Sequence, residues 1–215
     1  MEKQIVTQHT AIYCNENPWS LLRTGIEKLN PTKIFILVDT NTHEHCHELF
    51  IKKSGINTPV ETIIMSSGEK NKTIHTCMDI WTTLSEKGAD RSSLLINLGG
   101  GVVTDLGGFV ASTFKRGIEF INIPTSLLAM VDASIGGKNG VDLGMLKNQI
   151  GVVNNPRFVI VDPTFLNTLP KQEITSGFAE MLKHALIDSK DYWEQLQGFD
   201  ITNLKNTHNL IWKSI

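Results

Sequence analysis

Residues 93–105 read SLLINLGGGVVTD, a short apolar run that leads directly into three glycines. The run Leu94–Leu98 is typical of a strand buried on both faces of a parallel sheet. Glycines at the carboxyl end of such a strand allow a tight turn into a helix, whose first N–H groups attract a phosphate. The spacing here is G-x-G-x-x-T rather than G-x-G-x-x-G, and a tight turn without a ligand explains it equally well.

Similar apolar runs lie on both sides of this segment, at residues 33–39, 62–65, 120–123 and 158–162. Helical patterns separate them, at residues 42–54 before Gly55 and at residues 74–84 before Gly88. Strands that alternate with helices predict an α/β, Rossmann-like fold, with a mostly parallel sheet and helices on both faces.

The strand pattern stops near Pro163, and helical patterns continue to the end of the sequence. We therefore place an α/β domain at residues 1–165 and the start of an all-helical domain at residues 166–215. The last pattern, from Leu204 to Ile215, contains no Gly or Pro that would end a helix. We expect this second domain to be incomplete.

The composition excludes several classes of protein. Hydrophobic residues make up 40% of the 215 residues, which is enough for a sizeable core, and the net charge is only −2. That balance argues against a nucleic-acid partner or a polybasic membrane protein, and no run approaches the roughly 20 apolar residues of a membrane helix. The three cysteines form no C-x-x-C pair, and the N-terminus lacks the apolar run of a secretory signal. We expect a cytoplasmic protein.

Polar residues follow the first two strand runs. Asp39 and Asn41 stand at the end of the first run, where a carboxylate suits the ribose hydroxyls of a dinucleotide; a helix-cap pair is the favoured interpretation of these two residues alone. Residues 68–72, GEKNK, follow the second run. They could clamp a nucleotide or form a solvated charge run, which is the commoner case.

Residues 123–140 read IPTSLLAMVDASIGGKNG, in which Asp132 and Lys138 flank a Gly-Gly turn. Lys147 and Asn148 add a second polar site. Lysines near a glycine-rich turn suit a phosphorylated substrate. A flexible surface loop is the less favoured interpretation because of the length and chemistry of the segment.

A third polar group lies on one predicted helix face. Glu180, Lys183 and His184 are spaced i, i+3 and i+4, which places them side by side. The group could comprise a metal-ligating Glu beside a substrate-binding Lys, or it could be a surface ion pair, as local spacing alone would favour.

The segment His43–His47 matches the zinc-protease pattern H-E-x-x-H. It lies in a polar helical pattern directly after the first strand and away from the other motifs. We interpret it as an exposed, histidine-rich helix face, because short motifs often match by accident.

Taken together, six segments resemble those of the 3-dehydroquinate synthase family, which belongs to the sugar-phosphate cyclases. The most specific of them is PTSLLAMVDASIGGK at residues 124–138. The resemblance covers nearly the whole chain and runs in order through residues 68–72, 99–105, 115–117, 124–138, 147–151 and 176–183.

The resemblance implies an NAD site, a substrate site and a divalent metal, usually zinc and alternatively cobalt. It assigns NAD contacts to Asp39, Asn41, Glu69, Lys72, Gly100, Gly101, Val102, Asp105, Thr125, Ser126, Leu128, Lys138, Lys147, Phe165, Thr168 and Leu169. It assigns substrate binding and catalysis to Asp132, Lys138, Asn148 and Lys183, and it makes Glu180 a metal ligand. Arg116 would reach the substrate phosphate in the neighbouring subunit of a homodimer.

The resemblance also implies a reaction. A phosphorylated sugar acid, 3-deoxy-D-arabino-heptulosonate 7-phosphate, is oxidised, loses phosphate, is reduced and closes to a carbocycle by an aldol step. The family's two other metal ligands are histidines of a later G-H-T-F-G-H-like stretch, which this sequence does not contain. We therefore expect the chain to be inactive alone. The alternatives are another cyclase, such as a 2-deoxy-scyllo-inosose synthase, and a non-enzymatic NAD-binding module.

Overall fold

A computed structural model describes residues 3–8, 10–14, 17–199 and 207–215. The strands are β1 (Gln4–Val6), β2 (Ala11–Tyr13), β3 (Ile34–Asp39), β4 (Val60–Met65), β5 (Leu94–Gly99), β6 (Glu119–Pro124), β7 (Lys138–Leu143), β8 (Leu146–Val153) and β9 (Phe158–Ile160). The helices are α1 (Trp19–Leu29), α2 (Thr40–His45), α3 (His47–Ser54), α4 (Ile74–Glu86), α5 (Gly101–Thr113), α6 (Lys171–Asp188), α7 (Lys190–Gln197) and α8 (Thr207–Ser214).

Seven strands form one sheet in the order β1-β2-β9-β6-β5-β3-β4. Every pairing in it is parallel except the one between β1 and β2. The predicted α/β, Rossmann-like fold is therefore confirmed, and all five predicted strands lie in this sheet. β7 and β8 form a separate antiparallel hairpin.

The two faces of the sheet are covered by different helices, which explains why the strands are apolar throughout. Leu94, Ile96 and Leu98 of β5 belong to the core cluster that also contains buried residues of α1, α3 and α6. Leu95, between them, belongs to the cluster formed with α4 and α5. Within the described residues, no helix is long and apolar enough to span a membrane.

Two predicted helices differ in detail from the observed ones. The pattern at residues 42–54 begins earlier, at Thr40, and is interrupted at Cys46, so that it forms α2 and α3. The pattern that begins at Leu204 lies partly outside the described residues; its described part is α8. The domain boundary at residues 165/166 stays a prediction.

Asp162 secures the segment that leads from β9 towards α6. Its carboxylate accepts hydrogen bonds from Trp19 Nε1 at 2.9 Å and from Lys53 Nζ at 2.7 Å, and it caps the 3₁₀ turn Pro163–Thr168 through Thr164. Burial opposes ionisation of this carboxyl, but the bonds from Lys53 and Thr164 outweigh burial and lower the pKa of Asp162. These contacts tie the segment after β9 to α1 and α3.

Candidate active site

The candidate site lies at the carboxyl edge of the large sheet. The chain passes from β3 to β4 on one side, whereas β5 pairs with the opposite side of β3. The strand order therefore reverses between β3 and β5, and a crevice opens beyond their carboxyl ends. Asp39 ends β3 and Gly99 ends β5, so that two predicted segments border this crevice.

The half-buried glycine turn after β5 leads directly into α5. Gly100 is the N-cap of α5 and has an ordinary extended backbone, with φ −75°. A side chain is therefore not forbidden there by conformation, but an added Cβ would make a close contact of 3.3 Å with Ser126 Oγ. A glycine turn followed by the first N–H groups of a helix is the arrangement that receives a phosphate.

Asp39 is a helix cap, the role that was favoured for it from its position alone. Its Oδ1 accepts hydrogen bonds from Thr42 N at 2.8 Å and from Thr42 Oγ1 at 3.0 Å. Both bonds involve the same carboxylate oxygen, so that Oδ2 takes no part in the cap. Asn41 is exposed on α2 beside it.

Lys72 links its own segment to two others that are distant in the sequence. Its buried Nζ donates to Asp105 Oδ2 at 2.6 Å and to Asn148 Oδ1 at 2.7 Å. Burial raises the pKa of Asp105, and the charge and hydrogen bond of Lys72 offset part of that rise. Nearby, Lys147 Nζ donates to Glu69 Oε1 at 2.9 Å, and this bond and the charge of Glu69 raise the pKa of Lys147. Five residues assigned by the resemblance thus form two contact groups, one of three residues and one of two.

The β7–β8 hairpin brings Lys147 and Asn148 to this place, whereas Lys138 lies at the other end of the hairpin, opposite Val153. The backbone N–H of Asp142 donates to Lys72 O at 2.9 Å, and Asp142 Oδ1 accepts the N–H of Asn148 at 2.7 Å. Asn148 has a left-handed backbone, with φ 54°, which this carboxylate bond stabilises. Sequence reasoning missed both the hairpin and the part that Asp142 plays in it.

A second cluster lies beyond β6. Asp132, Glu180 and His184 bring ligand atoms within 4.8 Å of one another. His184 Nε2 lies 3.2 Å from Glu180 Oε1, and Lys183 Nζ donates to the same oxygen. The hydrogen bond from Lys183 lowers the pKa of Glu180 against the effect of burial, and the pKa of Lys183 is raised by the same bond. The spacing on α6 indicated Glu180, Lys183 and His184, whereas the approach of Asp132 was not foreseen.

Other assigned residues complete the crevice. Cys46 is buried, and burial raises the pKa of its thiol to about 11 against the lowering influence of Thr168 and Thr125. Ser126 Oγ accepts the N–H of Ala129 at 3.3 Å. Phe165 is buried, with its ring centroid 6.1 Å from that of Trp19. Val102 lies in the first turn of α5, and Leu128 and Leu169 directly flank the π-helix Ala129–Ala133 and the 3₁₀ turn Pro163–Thr168.

Arg116 is not brought to this crevice. It is exposed just after the far end of α5, about 20 Å along the helix from Gly101 at 1.5 Å per residue. Arg116 and Lys115 both have left-handed backbones, with φ 71° and 50°. Two adjacent non-glycine residues in this region are costly, and such strain is concentrated at functional positions.

Comparison with known proteins places this geometry in a family. The model of the 3-dehydroquinate synthase N-terminal family matches residues 62–176. A 3-dehydroquinate synthase of Parabacteroides distasonis is 43% identical over 198 residues, which cover 91% of this chain and 56% of that protein. One of Thermococcus kodakarensis is 46% identical over 177 residues, or 81% of this chain and 50% of that protein. The chain spans about half the length of the curated relatives it matches.

The fold also matches solved structures. A 2-deoxy-scyllo-inosose synthase, complexed with carbaglucose-6-phosphate, NAD⁺ and Co²⁺, has a TM-score of 0.84 at 24% identity. The match covers all of this chain and 62% of the synthase chain. A 2-epi-5-epi-valiolone synthase from Streptomyces hygroscopicus, with NAD⁺ and Zn²⁺ bound, has a TM-score of 0.80 at 23% identity, covering 98% of this chain and 59% of its own. These likenesses show the fold. The family model over more than half of the sequence, with relatives at 43% and 46% identity, leads to one conclusion: the chain belongs to the 3-dehydroquinate synthase family.

Proposed function

We propose that this chain forms the cofactor-binding part of a 3-dehydroquinate synthase, a phosphorus–oxygen lyase. The reaction converts 3-deoxy-D-arabino-heptulosonate 7-phosphate to 3-dehydroquinate and phosphate, a step of the shikimate pathway to aromatic amino acids. One observation carries the proposal: Lys72, Asp105 and Asn148, which are distant in the sequence, are in direct contact beside the strand-order reversal. A cytoplasmic location belongs to the same proposal.

NAD fits the crevice between β3 and β5. The half-buried glycine turn at Gly100 and Gly101 can offer N–H groups to the pyrophosphate. Asp39 Oδ2 can accept a hydrogen bond from a ribose hydroxyl. Asp105, held by Lys72, stands one turn into α5. The NAD⁺ bound in the two solved cyclases supports this assignment.

A divalent metal fits at Glu180, which supplies one ligand, and the resemblance assigns the other two to histidines outside this sequence. Carboxylate and imidazole groups suit Zn²⁺ or Co²⁺, and Asp132 and His184 lie beside Glu180. When bound, NAD accepts and returns a hydride, and the metal acts as a Lewis acid towards a substrate hydroxyl.

The chain's own residues position the substrate and its charges. Lys183 lies next to the carboxylate cluster, and Lys138 and Asn148 belong to the hairpin that lies against Lys72. The ammonium groups of Lys138 and Lys183 stabilise the phosphate and the anionic oxygens that develop during elimination. Asn148, whose backbone is fixed by Asp142, can donate its amide N–H to a substrate hydroxyl.

NAD binding is expected to depend on the bare turn at Gly100. Gly100→Ala should weaken the NAD affinity about tenfold, because the added methyl group would lie 3.3 Å from Ser126 Oγ, an assigned NAD contact, at the turn proposed to face the pyrophosphate. Thermal stability should change little, because the backbone at Gly100 is extended and Ser126 Oγ has to move by only a few tenths of an ångström. Isothermal titration of the folded chain with millimolar NAD measures the effect.

The matched control is Gly198→Ala, which also has an ordinary backbone and room for a methyl group. It should bind NAD like the wild type. A wild-type chain that shows no saturable heat would contradict the NAD assignment.

A substrate panel on a protein extended to the length of its relatives separates the heptulosonate phosphate from the substrates of other cyclases. Turnover of none of them would favour the NAD-binding module.

We also propose a homodimer in which Arg116 acts on the substrate of the partner subunit. The exposure of Arg116 and its distance from Gly101 along α5 support a role outside its own crevice. Light scattering at high protein concentration should give the mass of a dimer. The variant Leu186→Gln, which removes an exposed apolar side chain, should give the same dimer mass if association is specific. A strictly monomeric mass for the wild-type chain would refute the proposal.

A further inference from the structure

The histidine-rich segment after β3 forms a pair of adjacent imidazoles that the proposed reaction does not use. The ring centroids of His43 and His47 lie 5.2 Å apart, with 33° between the ring planes. The helix is interrupted between them at Cys46, yet the i, i+4 spacing keeps both rings on one side. His43 is exposed and His47 is half-buried, so that an ion can reach the pair from solvent.

One ring nitrogen of His47 lies at hydrogen-bond distance from an oxygen, as is usual for metal-binding histidines. A metal-bound imidazole uses one ring nitrogen and donates the N–H of the other to an oxygen. His47 Nε2 lies 3.0 Å from Thr62 Oγ1 on β4, so that Nδ1 remains for a ligand. Burial, and next the charge of a protonated His43, lower the pKa of His47, which favours the neutral form that binds metals.

We propose that His43 and His47 form a binding site for a late first-row divalent metal such as Ni²⁺, Cu²⁺ or Zn²⁺. Imidazole nitrogen suits these ions, whereas Mg²⁺ and Ca²⁺ prefer oxygen ligands. Among the residues that the structure describes, no third acidic, cysteine or histidine ligand joins the pair. The site is therefore a two-imidazole chelate completed by water, and it is not the three-ligand centre of a zinc protease.

The test is a titration of the untagged chain with Ni²⁺ at pH 7.5, by calorimetry, with Mg²⁺ as the control ion. The Glu180→Ala background removes one ligand of the cluster with Asp132 and His184. His43→Gln and His47→Gln should each weaken the Ni²⁺ affinity at least tenfold, and the double variant should lose far less than the product of the two single losses, because one imidazole alone binds only weakly. This non-additivity follows because a chelate is lost with either partner.

Two further variants make the test specific. His45→Gln removes an exposed histidine of the same segment and should leave the affinity unchanged. Thr62→Val keeps the shape of the side chain but removes the oxygen that orients His47, and should weaken binding about tenfold. Equal losses for His43→Gln and His45→Gln would overturn the proposal, as would additive losses in the double variant or tighter binding in Thr62→Val. None of these outcomes depends on the proposed enzymatic function.

Discussion

Glu180→Ala is expected to lower phosphate release by more than about a hundredfold in a protein extended to the length of its relatives. Loss of a residue that only orients a metal ligand already costs about 10- to 100-fold. Glu180 offers its own carboxylate to the cluster with Asp132 and His184, so that its removal should cost at least as much. The assay follows phosphate release from the heptulosonate phosphate with NAD and zinc, together with the zinc content of the protein.

The control is Glu173→Ala, which removes an exposed carboxylate from the same helix and should leave the rate unchanged. The 215-residue chain should release no phosphate, since the resemblance assigns two further metal histidines to a stretch outside this sequence. Full activity in Glu180→Ala would refute the metal assignment. Activity of the 215-residue chain comparable to that of the extended protein would refute the assignment of the two further histidines.

The large sheet could be predicted because its central strands are buried on both faces. Burial on both sides requires a continuous apolar run, and such runs are visible at β3 and β5 without any knowledge of their neighbours. The edge strands β1 and β2 have only three residues each, too few to show a pattern. β8 is largely exposed, and its first residue, Leu146, is followed directly by the polar pair Lys147–Asn148. Its residues therefore resemble a loop.

Contacts within one helix could also be predicted, whereas contacts between segments could not. Helical spacing alone places Glu180 beside Lys183 and His184. By contrast, Lys72 meets Asn148 across 76 positions, through a hairpin whose register is set by backbone bonds. The resemblance assigned roles to both residues, but only the fold shows that each is the other's partner. The break at Cys46, between α2 and α3, also could not be predicted from the sequence pattern, which continues across it.

Lys72→Met is expected to lower the free energy of unfolding by about 3 kcal/mol at pH 7, as for other broken buried ion pairs. Lys72 Nζ is the cation that compensates the largely buried Asp105 at 2.6 Å. Without it, burial raises the pKa of Asp105 further. A raised folded-state pKa gives a contribution to stability that is present below the unfolded value of 3.8 and is lost as the pH rises. The folded-state pKa of Asp105 is already raised in the wild type and rises further in the variant, so the deficit should grow as the pH rises through the wild-type folded-state pKa; urea unfolding at several pH values measures it.

The double variant Lys72→Met/Asp105→Leu distinguishes stability from function. Replacing both partners of a buried pair by apolar groups is often neutral, so that most of the lost stability should return. NAD affinity should not return, because Asp105 is itself an assigned contact to the cofactor. Lys87→Met is the matched control: Lys87 pairs with Glu61 at 2.7 Å on the exposed surface, where such pairs contribute less than about 1 kcal/mol. If Lys72→Met cost no more than Lys87→Met, or if its deficit did not vary with pH, Lys72 would not be the charge that offsets the burial of Asp105.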